Sequence, residues 1–184
     1  MIKVKVIFII TVIYCTIFLT SQANAKPDVP PFEEPYLEIG YKSIGEAIKE
    51  CETANQRELQ LPIKLPPIQF THHLSRCVND TGNYNDELQI EYLHETQGKN
   101  HYKIDVRPIE QRINFENSRR EKKKLKLNDG SDALYFSTKN SKSKGGFNIL
   151  VFEKNEWQYR LSVDSRIENQ VKPDVLIGIA NSLR

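Results

Sequence analysis

Two stretches that alternate apolar and polar side chains constrain this chain more than any other feature. In ELQIEYLHE, Leu88, Ile90 and Tyr92 alternate with Gln89, Glu91 and Leu93. In HYKIDVRP, Tyr102, Ile104 and Val106 alternate with Lys103, Asp105 and Arg107. A period of two sends successive side chains to opposite faces of a strand, and a helix cannot segregate such a pattern. Thr96-Gln97-Gly98-Lys99-Asn100 lies between them and reads as a turn. The pair therefore predicts an antiparallel hairpin with one apolar and one wet face.

More strands follow. Asn128-Asp129-Gly130 is a strong turn signal, and ALYFSTK, the loop NSKSKGG and GFNILVFEK come after it. Ile149, Leu150, Val151 and Phe152 predict a strand buried on both sides. Lys154-Asn155 reverses the chain into EWQYRLSVD, where Trp157, Tyr159, Leu161 and Val163 face in and Gln158, Arg160, Ser162 and Asp164 face out. Upstream, Pro62, Pro66 and Pro67 exclude a central strand, but an edge strand can run from near Ile68 through Phe70, His72 and Leu74 to Cys77. NDTGNYN, residues 79–85, is a turn by composition. Ile109 to Leu127 has no clear period.

Helices are expected at both ends of the domain. Ser43 and Glu46 form a capping box, and Ile44, Ala47, Ile48 and Cys51 recur at helical spacing, so Ser43 to about Thr53 reads as a short amphipathic helix. Pro173 and Asp174 suit a first helical turn, ahead of the stripe Val175, Leu176, Ile179, Ala180 and Leu183. The expected fold class is α+β: an antiparallel sheet of about six strands, with a short N-terminal helix and a C-terminal helix packed on it. The expected domain spans 43–184. Residues 26–42, with four prolines in KPDVPPFEEP, read as an extended leader.

The first 25 residues read as a signal peptide. Lys3 and Lys5 precede the apolar run VIFIITVIYCTIFLT, and Ala23-Asn24-Ala25 ends it in small-x-small form, so cleavage is placed after Ala25. The run is shorter than the roughly 20 residues of a spanning helix, so no stable membrane span is expected after cleavage. Cys15 sits inside the apolar core, where lipidation is not expected. The predicted location is secreted, with cell-surface association possible. Residues 1–25 hold two lysines and no acids, which leaves 24 basic and 24 acidic residues behind. A neutral domain argues against a nucleic-acid partner. Cys51 and Cys77 remain, and an oxidising compartment favours a disulfide between them over two free thiols.

Candidate chemistry is sparse. His72, His73, His94 and His101 lack metal-ligand spacing, and neighbours on a strand point to opposite faces, so no metal or cofactor is predicted. No phosphate loop, nucleophile elbow or Cys-x-x-Cys occurs, and no catalytic residue is assigned. Asn79-Asp80-Thr81 fits a glycosylation acceptor, set aside because the Lys-, Asn- and Ile-rich composition looks bacterial. The basic run RREKKKLKL is the one charged concentration. It reads first as a solvated strand edge whose lysines block unwanted pairing. If it binds, Arg119, Lys122 and Lys124 would contact an anionic surface.

The C-terminal half, roughly Leu88 to Arg184, resembles a bacterial extracytoplasmic domain family of unknown function. Its members occur in Gram-positive secreted proteins, lipoproteins and anti-sigma-factor-like or sporulation-associated envelope proteins. The residues that carry the resemblance are Ala133-Leu134-Tyr135-Phe136, Ile149-Leu150-Val151-Phe152-Glu153, Glu156-Trp157-Gln158-Tyr159-Arg160-Leu161 and Leu176-Ile177-Gly178-Ile179-Ala180-Asn181-Ser182-Leu183. The resemblance implies an exported, sheet-rich module that binds or senses something at the envelope, and it brings no catalytic residues. The expected function is a non-enzymatic binding or accessory domain whose partner is an unknown protein or an anionic envelope polymer. The sheet face bearing Glu91, Lys103, Asp105, Gln158 and Arg160 would be free for that partner. The alternatives are an extracellular enzyme with an unrecognised site and an inhibitor or immunity-type protein.

Overall fold

The structure is a computed structural model that describes residues 31–79, 86–117, 120–139 and 145–184. The segment read as a signal peptide, most of the 79–85 turn, Arg119 and most of the SKSKGG loop lie outside these residues. Phe32–Arg184 forms one unit.

Seven strands make one antiparallel sheet: β1 (His72–Val78), β2 (Glu87–Leu93), β3 (Tyr102–Pro108), β4 (Lys122–Lys126), β5 (Asp132–Ser137), β6 (Phe147–Lys154) and β7 (Trp157–Asp164). Their spatial order is β1-β2-β3-β7-β6-β5-β4. The chain lays down β1, β2 and β3 in turn, crosses to the far edge, and works back through β4, β5 and β6 to pair β7 with β3. The α+β reading holds, with one strand more than expected. The extra strand is β4, KKKLK. Its single apolar residue, Leu125, shows no alternation to read.

The turns follow their residues. Gly130 takes φ +84° in the β4–β5 turn, where Gly130 N donates to Leu127 O and Leu127 N to Ser131 O, both at 3.0 Å. This is a three-residue hairpin loop with a glycine bulge. Asn155 and Glu156 both take positive φ, 50° and 65°, as a two-residue turn between twisted strands requires. Arg57 holds that turn: its Nη1 donates to Glu156 O at 2.8 Å, and its Nη2 donates to Glu110 Oε1 at 2.9 Å.

Cross-strand register sorts the side chains. Leu88, Ile90, Ile104, Val106, Tyr159, Leu161, Leu150 and Phe152 share one face. That face is covered by α2 (Ile44–Asn55), the irregular segment through Leu59 and Phe70, and α3 (Pro173–Ala180), which inserts Leu176, Ile179 and Ala180. Ser43 caps α2, and the reciprocal bonds of the capping box with Glu46 are both made. Cys51 on α2 and Cys77 on β1 are joined as a disulfide, with Cα atoms 5.4 Å apart. Ile149 and Val151 face the other way and pack with Phe136, so the centre of β6 is buried on both sides as expected.

Two boundaries differ from expectation. The first strand begins at His72 rather than Ile68, because Ile68 and Phe70 pack from a coil under the core. The proline-rich segment is not extended throughout: Glu34–Glu38 forms a short helix, α1, which Pro35 tolerates because a first-turn amide has no helical partner. Among the described residues, no helix is long and apolar enough to cross a membrane.

Candidate binding surface

The second sheet face is polar at its β1–β3–β7 half. Register places Arg76 beside Gln89, Glu91 beside Lys103, and Asp105 between Gln89 and Arg160. Each acid meets a cation. Glu87 pairs with Arg107, and Arg160 Nε donates to Asp105 Oδ2 at 2.9 Å. Glu91 receives Lys103 Nζ at 2.8 Å and lies 2.5 Å from His101 Nε2. Tyr41 reaches over from the segment after α1, its hydroxyl 3.5 Å from Glu91 Oε1, with the Arg76 guanidinium 4.8 Å from its ring centroid. At the far side, Gln158 and the backbone of Ile113 exchange two hydrogen bonds, which lays residues 112–116 over the sheet.

This corrects the expectation of a free sheet face. Glu91 is 5% exposed, Asp105 3% and Gln158 5%. The alternation correctly put them opposite the core, but their polar groups are engaged by cross-strand neighbours and roofing segments. Lys103 and Arg160 keep about a quarter of their side chains exposed, 26% and 28%.

The buried acids titrate in opposite directions. For Glu91, burial raises the pKa, but hydrogen bonds from His101 and Lys103 outweigh it and hold the carboxyl below its ordinary range. For Asp105, burial dominates and raises the pKa despite Arg160 and Lys103. A carboxylate with a lowered folded pKa contributes stability above its unfolded value, and loses it as pH falls through the folded value. Asp105 has the opposite sign: its ionised form costs stability, which is regained on acidification. Glu91→Gln should therefore cost about 2 kcal/mol at neutral pH. That gap should narrow as pH falls below about 4.3, the ordinary glutamate value. Urea melts of both proteins at neutral and acidic pH check this, because the Asp105 contribution is common to both. A gap independent of pH would show that Glu91 is not held ionised by its partners.

The four histidines are dispersed. His72 lies 3.3 Å from Glu33, His73 sits near Tyr92 on the core side, His94 accepts from the Thr96 and Gln97 amides, and His101 meets Glu91. Among the described residues, no group of three or more His, Cys, Asp or Glu side chains could hold a metal ion.

The other half of this face borders the basic edge. A cleft of about 530 Å³ lies between residues 112–116 and strands β4 to β6, with Phe115, Leu134 and Val151 among its lining and Arg112, Lys124 and Glu153 also around it. The basic run forms β4, the terminal strand, as the edge reading expected. Lys122, Lys124 and Lys126 share the face of the cleft, while Lys123 and Leu125 point to the core side. Lys124 is 75% exposed and Lys126 65%, and their ion pairs with Glu116 and Asp132 are equally open to solvent. Sequence reasoning named Lys122 and Lys124, but it missed Lys126 and Lys123, whose roles depend on the strand. Arg119 lies outside the described residues, so this edge is described without it. Comparison with protein families, curated proteins and solved structures finds no match to this chain.

Proposed function

We propose that this protein is an exported, non-enzymatic binding or accessory domain of the bacterial cell envelope that engages an anionic partner along its basic edge strand. The observation that carries this reading is β4 itself: a terminal strand of sequence KKKLK, with exposed ammonium groups on a sheet whose other charges are largely paired across strands. Exposed pairs such as Lys124–Glu116 contribute little to stability, so a multivalent anion can displace them at small cost. The signal-like amino terminus and the bridged cysteines support export.

Sedimentation with an isolated bacterial envelope fraction tests the reading. The purified protein should bind at low salt and be released as ionic strength rises past about 0.15 M, where the screening length is about 8 Å. Reversing charge at Lys123→Glu and Lys124→Glu should abolish retention without lowering the melting temperature. Equal retention of the variant would overturn the role of the edge.

A further inference from the structure

We propose that β4 takes up its partner by strand addition, and that the partner is an extended protein segment alternating acidic and apolar residues. This rests on the basic-edge reading above and narrows it to one chemistry.

The backbone supplies the first argument. Leu127 N bonds to Ser131 O. Hydrogen-bonded pairs alternate along an antiparallel ladder. Leu125↔Ala133 and Lys123↔Tyr135 are therefore the bonded pairs, and Lys124 and Lys126 turn their N–H and C=O groups away from β5. Among the described residues, nothing meets those outward groups. The opposite edge of the sheet is treated differently. There Lys42 lies against β1, its N–H donating to Ser75 O at 2.6 Å and its C=O accepting from Ser75 N at 2.9 Å. The chain blunts one edge with its own backbone and leaves the other to lysines.

The side chains supply the second. An added strand sets its residues directly opposite those of β4, with Cβ atoms about 5 Å apart. On the cleft face it meets Lys122, Lys124 and Lys126, which select carboxylates. On the other face it meets Lys123 and Leu125, and Leu125 packs against the main core and would continue that layer with an apolar neighbour. Acid–apolar–acid is the complementary pattern. Lysines on an edge repel apolar and cationic strands, so the same residues that prevent promiscuous pairing choose the partner. A second copy of β4 does not fit: antiparallel pairing centred on Lys124 would oppose Lys124 to Lys124 and Lys122 to Lys126, and would set each Leu125 against a Lys123.

A short peptide of alternating glutamate and valine is the probe, and inorganic polyphosphate is the comparison anion. Peptide binding should slow hydrogen exchange at the Lys124 and Lys126 amides. Lys124→Pro removes one outward N–H that the β4–β5 ladder does not use, so the fold should persist while peptide affinity falls about tenfold. Lys124→Ala loses the same ammonium group but keeps the N–H, so polyphosphate should bind Lys124→Ala and Lys124→Pro alike, while the peptide should bind Lys124→Ala more tightly. Peptide binding without amide protection, equal peptide affinity of the proline and alanine variants, or no peptide binding at all would each overturn strand addition. The amide measurement uses the wild-type protein and stands even if the proline variant fails to fold. If polyphosphate still binds and Lys123→Glu with Lys124→Glu abolishes it, the basic-edge reading survives alone. If polyphosphate ignores the charge reversal, that reading fails as well.

Discussion

Trp157→Ala is expected to destabilise the protein by about 3–5 kcal/mol, as removal of a large buried side chain from a packed core does. The indole is 1% exposed at the start of β7, opposite Pro108. Its Nε1 donates to Glu58 O at 2.9 Å, and the Arg57 guanidinium sits 5.5 Å from its ring centroid. Alanine would leave a void and an unsatisfied carbonyl. It would also take the platform from Arg57, which ties the Asn155–Glu156 turn to Glu110. Trp157→Phe separates these effects: most of the ring area stays, and the lost hydrogen bond should cost about 1 kcal/mol. Trp157 is the sole tryptophan, so the melts must be followed by far-ultraviolet circular dichroism rather than fluorescence. Unchanged melting of the alanine variant would mean that the indole does not anchor this corner of the core.

What could be read from the sequence followed the range of the signal. The β2–β3 and β6–β7 hairpins are local: their alternation and turn residues lie within one short window, and burial of one face enforces the register. The α2 helix is legible for the same reason, through Ser43, Glu46 and the stripe ending at Cys51. β4 escaped because a strand with lysines on both faces has no apolar period, and its partner β5 alone defines it. The pairing of β3 with β7 leaves no local trace either, yet it decides the fate of the polar face. Asp105 and Arg160 stand 55 positions apart in the chain. From sequence both look like solvent-facing residues of separate strands. Only their adjacency turns a free charged surface into a closed ionic lattice, and it moves the candidate surface outward to the exposed lysines of the edge strand β4.

Replacing Cys51 and Cys77 together by alanine is expected to cost about 3 kcal/mol and lower the melting temperature by about 6–12 °C. The bridged residues are 26 apart, so the broken cross-link returns a sizeable loop to the unfolded ensemble. The native side loses as well. Cys51 is 1% exposed on the buried stripe of α2, and Cys77 packs from β1 against the same core. The bridge is the covalent tie between the helix layer and the outermost strand at this end. Without it α2 is held by Ala47, Ile44 and Ile48, and β1 keeps β2 and the single bridge at Ser75. Hydrogen exchange should therefore rise first in α2 and β1, while β6 and β7, central and flanked on both sides, stay protected. Thiol labelling of the unfolded, unreduced protein should find neither Cys51 nor Cys77 reactive. Labelling of both, or a double alanine variant that melts with the parent, would remove the bridge from the account of stability and with it the support it lends to maturation in an oxidising compartment.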